Sequence, residues 1–152
     1  MSDIAKMDAC YAAGLFDGEG CVQLYMGNPA SRGRNCFKTY LSISGVDLRP
    51  LDWLVERYNG GITLYEGDSR SLSDGSRRRT LGTWAVGGSD AEQFAHVILP
   101  FVLVKREQLD LWLVARSMLR VKGFQQNGGL AEDEVAERRA MVAHMKELKR
   151  VV

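Results

Sequence analysis

The sequence predicts an α+β protein: a helix and two strands, a second helix and two strands, then further helices. Three observations predict it. Short segments alternate apolar and polar residues, which marks half-buried strands, and they come in pairs. Apolar residues recurring with helical period mark the segments between the pairs. Clusters of Gly, Pro, Asn and Ser punctuate the boundaries. The resulting order is α-β-β-α-β-β-α-α-α.

Asp3 to about Asp17 reads as a helix rich in small residues, Ala5, Ala9, Ala12, Ala13 and Gly14. A glycine inside a helix costs about 1 kcal/mol relative to alanine, so Gly14 implies close approach of a second backbone. The helix should stop in Asp17-Gly18-Glu19-Gly20, where two glycines fall within three residues. From Cys21 to Met26, Val22, Leu24 and Met26 share one strand face and Cys21, Gln23 and Tyr25 the other. A turn-rich stretch, Gly27 to Gly33, leads to a second strand from about Cys36 to Ser44. Here Phe37, Leu41 and Ile43 share the inward face, while Lys38, Tyr40 and Ser42 point away. Aromatic, polar and basic side chains on one exposed face suit readout of base edges and phosphates.

Asp47 is placed to cap a helix over Leu48 to Tyr58, with Pro50 tolerable in its first turn. Asn59-Gly60-Gly61 ends it, and Ile62–Glu66 and Arg77–Val86 form the second strand pair. Leu81, Trp84 and Val86 do not share a parity, which leaves the buried face of that last strand open. Ser89-Asp-Ala-Glu92 has the spacing of a capping box for a short helix to about Leu99, broken by Pro100. Val104 to Val121 is amphipathic, with Leu109, Trp112, Leu113, Arg116 and Leu119 on one face. A Gly/Gln/Asn-rich linker then precedes a charged helix over Glu132 to Arg150.

The composition bounds the function. The 152 residues and 16.9 kDa are one domain's worth. With 45% apolar and 26% charged residues, disordered, collagen-like and coiled-coil classes are excluded. The longest apolar stretch, Val97 to Val104, falls far short of the roughly 18 residues a membrane span needs, so no membrane partner is expected. No secretory signal is visible at the N-terminus. Cys10, Cys21 and Cys36 lack C-x-x-C spacing and lie far in sequence from His96 and His144, which argues for free thiols, an intracellular setting and no zinc.

The formal net charge is only +1, but it is unevenly spread. Gly20 to Val46 holds Arg32, Arg34 and Lys38 with no acidic residue, and Ser69 to Ser89 holds Arg70, Arg77, Arg78 and Arg79 against Asp74. A basic face on an otherwise acidic chain fits phosphate binding, although the three consecutive arginines also fit a solvated hairpin tip.

Ala12-Ala13-Gly14-Leu15-Phe16-Asp17-Gly18-Glu19-Gly20 resembles the signature of the LAGLIDADG homing endonucleases. Together with the element order, the resemblance covers residues 5 to 122 as an αββαββα domain with a four-stranded antiparallel DNA-binding sheet. Residues 130 to 150 are then a helical extension of one endonuclease domain, 1–152. By position, Glu19 matches the family's metal-binding acid, and the Gly18 carbonyl is a further ligand. Asp17 shapes the helix end and is also among the metal candidates. Lys105 matches the basic active-site lysine, and Arg49 a second basic position near the scissile phosphate. Where relatives place Gln or Asn after the second strand to arrange solvent, this chain has Gly45.

The resemblance implies Mg²⁺, with Mn²⁺ able to substitute and Ca²⁺ supporting binding without cleavage, and no small-molecule cofactor. Carboxylate and carbonyl oxygens are the hard donors Mg²⁺ takes. A single motif implies a homodimer joined through the small-residue helix, with Ala9, Ala12, Ala13, Gly14 and Phe16 at the interface. The expected substrate is a long pseudo-palindromic duplex, cut in both strands with a stagger, as in intron homing. Candidate base contacts are Gln23, Tyr25, Lys38, Tyr40 and Ser42, then Arg70 and Arg78, with Arg32 and Arg34 on phosphates or outer bases. A strand of about ten residues would span ~33 Å, or roughly ten base pairs. Two other readings stand beside this one: a DNA-binding module or RNA splicing cofactor that has lost catalysis, and a partner-binding protein. Asp-Gly-Glu-Gly also fits an ordinary helix-ending turn, and Lys105 an exposed lysine opening a helix.

Overall fold

A computed structural model of the chain describes residues 2–26, 37–66, 80–121 and 132–150. Its elements follow the expected order: α1 (Asp3–Glu19), β1 (Gly20–Met26), β2 (Phe37–Gly45), α2 (Arg49–Tyr58), β3 (Gly61–Tyr65), β4 (Leu81–Gly87), α3 (Gly88–Ile98), α4 (Arg106–Val121) and α5 (Glu132–Leu148). The four strands form one antiparallel sheet in the order β1-β2-β4-β3. This is the α+β architecture with a four-stranded antiparallel sheet.

Strand alternation decides what each sheet face does. Val22, Leu24, Leu41, Ile43, Trp84 and Val86 are buried in the core with Phe16, Phe94, Ile98, Leu109 and Trp112 from the helices. The parity of β4 is resolved by Gly82, which shares the inward face with Trp84 and Val86. A Cβ there would come within 2.4 Å of Leu48 and 2.9 Å of Leu51. The strands are shorter than ten residues, at seven for β1 and nine for β2, so β2 spans about 30 Å.

Several local expectations are corrected. α1 stops inside the expected Asp17–Gly20 segment, at Glu19, two residues beyond Asp17. The chain turns at Gly20, where a Cβ would come within 2.4 Å of the Phe16 carbonyl oxygen and 2.5 Å of its ring. Only glycine lets the Gly20 N–H reach back to that carbonyl at so close an approach. Asp47 does not occupy the cap position of α2, which falls on Leu48; it still accepts the Arg49 N–H at 3.1 Å.

The capping box at the start of α3 does not form, since Gly87 is the cap residue and makes no side-chain cap bond. Glu92 is buried instead and takes the Arg116 guanidinium at 2.8 and 2.9 Å, while Arg116 also donates to Thr39 Oγ1 at 3.0 Å. A buried carboxylate needs a cation more than an exposed turn needs a cap, so the long-range pair prevails over the local one. α4 begins at Arg106, two residues later than its periodicity implies.

Candidate active site and nucleic-acid interface

The outer sheet face carries Cys21, Gln23 and Tyr25 from β1, paired in register with Ser42, Tyr40 and Lys38 of β2. Tyr25 and Tyr40 meet edge to face at 6.4 Å between ring centroids, and the Lys38 ammonium lies 5.7 Å from the Tyr25 ring. The cluster pre-orders two aromatic rings and a cation on a strand surface. Burial and the neighbouring Tyr25 push the Tyr40 hydroxyl pKa up, so it stays a neutral hydrogen-bond donor at physiological pH. Ser42 has the expected parity but is only 5% exposed, which puts it in the floor of the face rather than on its surface. Arg32, Arg34, Arg70 and Arg78 lie outside the described residues.

Sequence reasoning missed the far half of this face. Ser44 and Thr83 share a hydroxyl–hydroxyl hydrogen bond at 2.8 Å, and Thr83 pairs in register with Thr63. Exposed Tyr65 pairs with Leu81 at the strand ends. Reading Gly82 as an inward residue would have revealed the parity of β4 and with it these side chains.

The end of α1 adjoins this face, because Glu19 leads directly into β1. Asp17 does the organising there. Its carboxylate accepts three successive backbone N–H groups from the segment before α4: Leu103 at 2.8 Å, Val104 at 3.2 Å and Lys105 at 3.0 Å. Successive amides converging on one anion form a nest. The Lys105 ammonium returns to the Asp17 backbone carbonyl. Residues far apart in sequence are thus tied together, with Lys105 held against Asp17, which precedes Glu19 by two residues in the chain. A helix C-terminus, where carbonyl dipoles leave negative partial charge, favours a cation at this spot.

Both Asp17 carboxylate oxygens accept amides of the nest, which is the helix-end role expected of this residue. Glu19 is exposed. The Gly18 carbonyl is among the last four of the helix, which lack partners within it. Arg49 sits elsewhere, at the start of α2, with its side chain 89% exposed and paired to Asp47 at 2.5 Å. Hydrogen bonds from Arg49 hold the Asp47 carboxyl down at about 2, and the same pair raises the Arg49 pKa. An open cavity of about 390 Å³ is lined by this pair with Tyr11, Pro50 and Trp53. The structure therefore joins Lys105 to the α1 end, while the contacts of Arg49 lie with Asp47.

The expected dimer interface is also corrected. Ala9, Ala12, Ala13 and Phe16 are fully buried in the chain's own core and cannot meet a partner; only Gly14 of the five is exposed. The outward face of α1 carries Ile4, Met7, Tyr11, Gly14 and Gly18, spaced three or four residues apart so that they form one stripe. Ile4 and Met7 are 68% and 70% exposed, and a Cβ added at Gly14 or Gly18 would meet nothing within 4 Å.

No protein-family model matches the sequence, and no curated protein matches it. Solved structures do match the fold. The homing endonuclease I-CvuI, in complex with a DNA target in Mg with the DNA not cleaved, is 15% identical with a TM-score of 0.57, over 95% of this chain and 98% of that one. The archaeal intron-encoded homing endonuclease I-Vdi141I, complexed with DNA, is 12% identical with a TM-score of 0.53, over 94% and 97%. The LAGLIDADG homing endonuclease I-SmaMI, bound to cleaved DNA, is 18% identical with a TM-score of 0.63, over 88% of this chain but 42% of that one.

The chain has the LAGLIDADG homing endonuclease fold.

Within the LAGLIDADG fold the nine-residue motif spans the end of α1 and the first residue of β1. Gly45 closes β2 opposite Gly82. Among the described residues, a Cβ added at Gly45 would meet only the Asp47 carbonyl oxygen, at 3.6 Å, an ordinary contact. The donor set at the motif's end is the Glu19 carboxylate and a helix-end carbonyl, hard oxygens that suit Mg²⁺. Among the described residues no group of three His, Cys, Asp or Glu side chains comes together to hold a metal. Also among them, no helix is long and apolar enough to cross a membrane.

Proposed function

We propose that this chain is a metal-dependent DNA endonuclease that acts as a homodimer and cuts both strands of a long pseudo-palindromic duplex. The observation that carries the reading is the Asp17 nest, which ties Lys105 to the end of the motif helix, two residues before Glu19 in the chain, where that helix leads into the sheet. The LAGLIDADG fold and neighbours complexed with DNA support it. So does the near-complete match in length to I-CvuI and I-Vdi141I, which supports a single endonuclease domain over 1–152.

The stripe Ile4–Met7–Tyr11–Gly14–Gly18 is the surface for a second copy. Two such helices, crossing at their glycines, bring two Glu19 carboxylates to one locus. Like charges there are unfavourable unless a cation lies between them. A bound Mg²⁺ supplies Lewis-acid polarisation of the phosphate and a water acidic enough to attack it. Water oxygen bonds to phosphorus and the bond to the O3′ leaving group breaks, which leaves a 5′-phosphate and a 3′-hydroxyl. Lys105 stabilises the negative charge that grows on the phosphate oxygens. Gln23, Tyr25, Lys38 and Tyr40 read the groove, and Arg49 meets a phosphate once Asp47 yields it.

A second reading rests on Gly45, which offers no side chain where the resemblance implies a solvent-orienting amide. It describes a protein that binds a duplex, or an RNA as a splicing cofactor, without cutting DNA. One experiment separates the two. The protein is incubated with a randomised duplex library in Mg²⁺, and separately in Ca²⁺, and both cut ends and bound molecules are sequenced. Cut ends converging on one pseudo-palindrome in Mg²⁺ alone support the nuclease. Bound sequences that converge without cut ends support the second reading. Gly45→Gln, at a position that accepts a Cβ without clash, is expected to raise the cleavage rate.

A further inference from the structure

We propose, resting on the DNA-binding reading above, that the end of α5 belongs to the DNA-binding surface and that Lys149 holds a backbone phosphate beside the inner end of β1. The sequence assigned α5 no role. It packs against α4 and β1, anchored by buried Met145 and by Arg138, whose guanidinium lies 5.4 Å from the ring of Phe37. Phe37 is opposite Met26 in the β1–β2 ladder. The rise from Arg138 to Lys149 is about 16 Å, the same as the ~16 Å along β1 from Met26 back to Cys21. α5 therefore runs the length of β1, starts under the sheet, and ends at its outer face.

There the Lys149 ammonium lies 3.4 Å from Cys21 Sγ, a sulfur that also takes Gln23 Nε2 at 3.1 Å. A thiol sulfur is a weak acceptor and an ammonium carries three donors, so this contact leaves Lys149 with hydrogen-bonding capacity to spare. Lys146, Lys149 and Arg150 are exposed around a single acid, Glu147. Lys149 at Cys21 and Lys38 at Tyr25 lie about 13 Å apart along β1, the axial rise of about four base pairs. The two cations bracket the face on which Gln23 and Tyr25 stand, as a phosphate backbone passing over it requires.

The test uses the full chain and a random-sequence duplex of about 30 base pairs, with affinity measured by fluorescence anisotropy from about 50 to about 200 mM KCl. Lys149→Gln removes one phosphate contact per subunit, two per dimer, and is expected to lower the slope of log affinity against log salt by about 1.8, so the variant loses about twelvefold less affinity than the wild type over that range. Lys149→Arg should keep the wild-type slope, and both variants the wild-type melting temperature. A wild type that binds with a clear salt slope, beside a Lys149→Gln variant with the same slope and affinity, overturns the role of α5 and leaves the nuclease reading intact. A wild type that binds no duplex at the lowest salt overturns both.

Discussion

The two faces of α1 look alike in sequence and differ in what they are for. One carries Ala9, Ala12, Ala13 and Phe16, all fully buried against the chain's own sheet and helices. The other carries Ile4, Met7, Tyr11, Gly14 and Gly18, apolar or small, with none of the described residues packed on its glycines. On the inner face, small residues let the helix lie close to its own core. On the outer face, the glycines have no such use among the described residues, which the proposed second copy would explain. Small residues alone do not say which face would be free for the proposed second copy; burial does.

The largest expected effect comes from breaking the inner face. Phe16→Ala removes a fully buried ring that stacks edge to face on Phe94 at 6.0 Å, and should cost about 3–5 kcal/mol of stability in denaturant unfolding. The end of the helix comes next. Asp17→Ala strips three amides of their acceptor and should cost about 2 kcal/mol, with cleavage falling further than stability because Lys105 loses its tether. Outer-face substitutions should behave in the opposite sense. Gly14→Leu should leave the monomer's stability equal or higher by about 0.8 kcal/mol. Sedimentation equilibrium should meanwhile show self-association weakened by about tenfold or more, roughly 1.4 kcal/mol. A Gly14→Leu protein that unfolds would place that face in the core after all.

The smallest effect belongs to Asp47 and Arg49, near exposed Tyr11. The Asp47 pKa is lowered on folding, so the pair's stabilisation is present above the ordinary carboxylate range and is lost as pH falls toward about 2. Both side chains face water, and salt screens them. Any difference between the melting curves of wild type and Asp47→Asn should therefore be small, be present from pH 5 to 8, and vanish as the pH falls below about 4. Duplex affinity should rise in the variant as Arg49 is freed.

What was legible in the sequence was periodic or contiguous. The alternation of Val22, Leu24, Leu41 and Ile43, the stop at Asn59-Gly60-Gly61 and the nine-residue motif are local signals, and the element order follows from them. What was not legible depends on partners distant in the chain. Ser89 to Glu92 has the spacing of a capping box, yet Glu92 answers to Arg116 on another helix. Asp17 reads as a helix-end residue or a metal ligand, and its real partners are amides of residues 103–105. β4 seemed to lack a face because Gly82 does not look like a core residue, although its missing side chain is what Leu48 and Leu51 fill.

The central claim is that Glu19 serves chemistry at the end of α1 and not the fold. Glu19→Gln keeps the shape of the side chain and removes its charge. With a duplex recovered from the library, cleavage in Mg²⁺ should be abolished while binding in Ca²⁺ stays within about threefold of wild type, under 1 kcal/mol. Loss of binding together with cleavage would contradict the account and make Glu19 a structural residue.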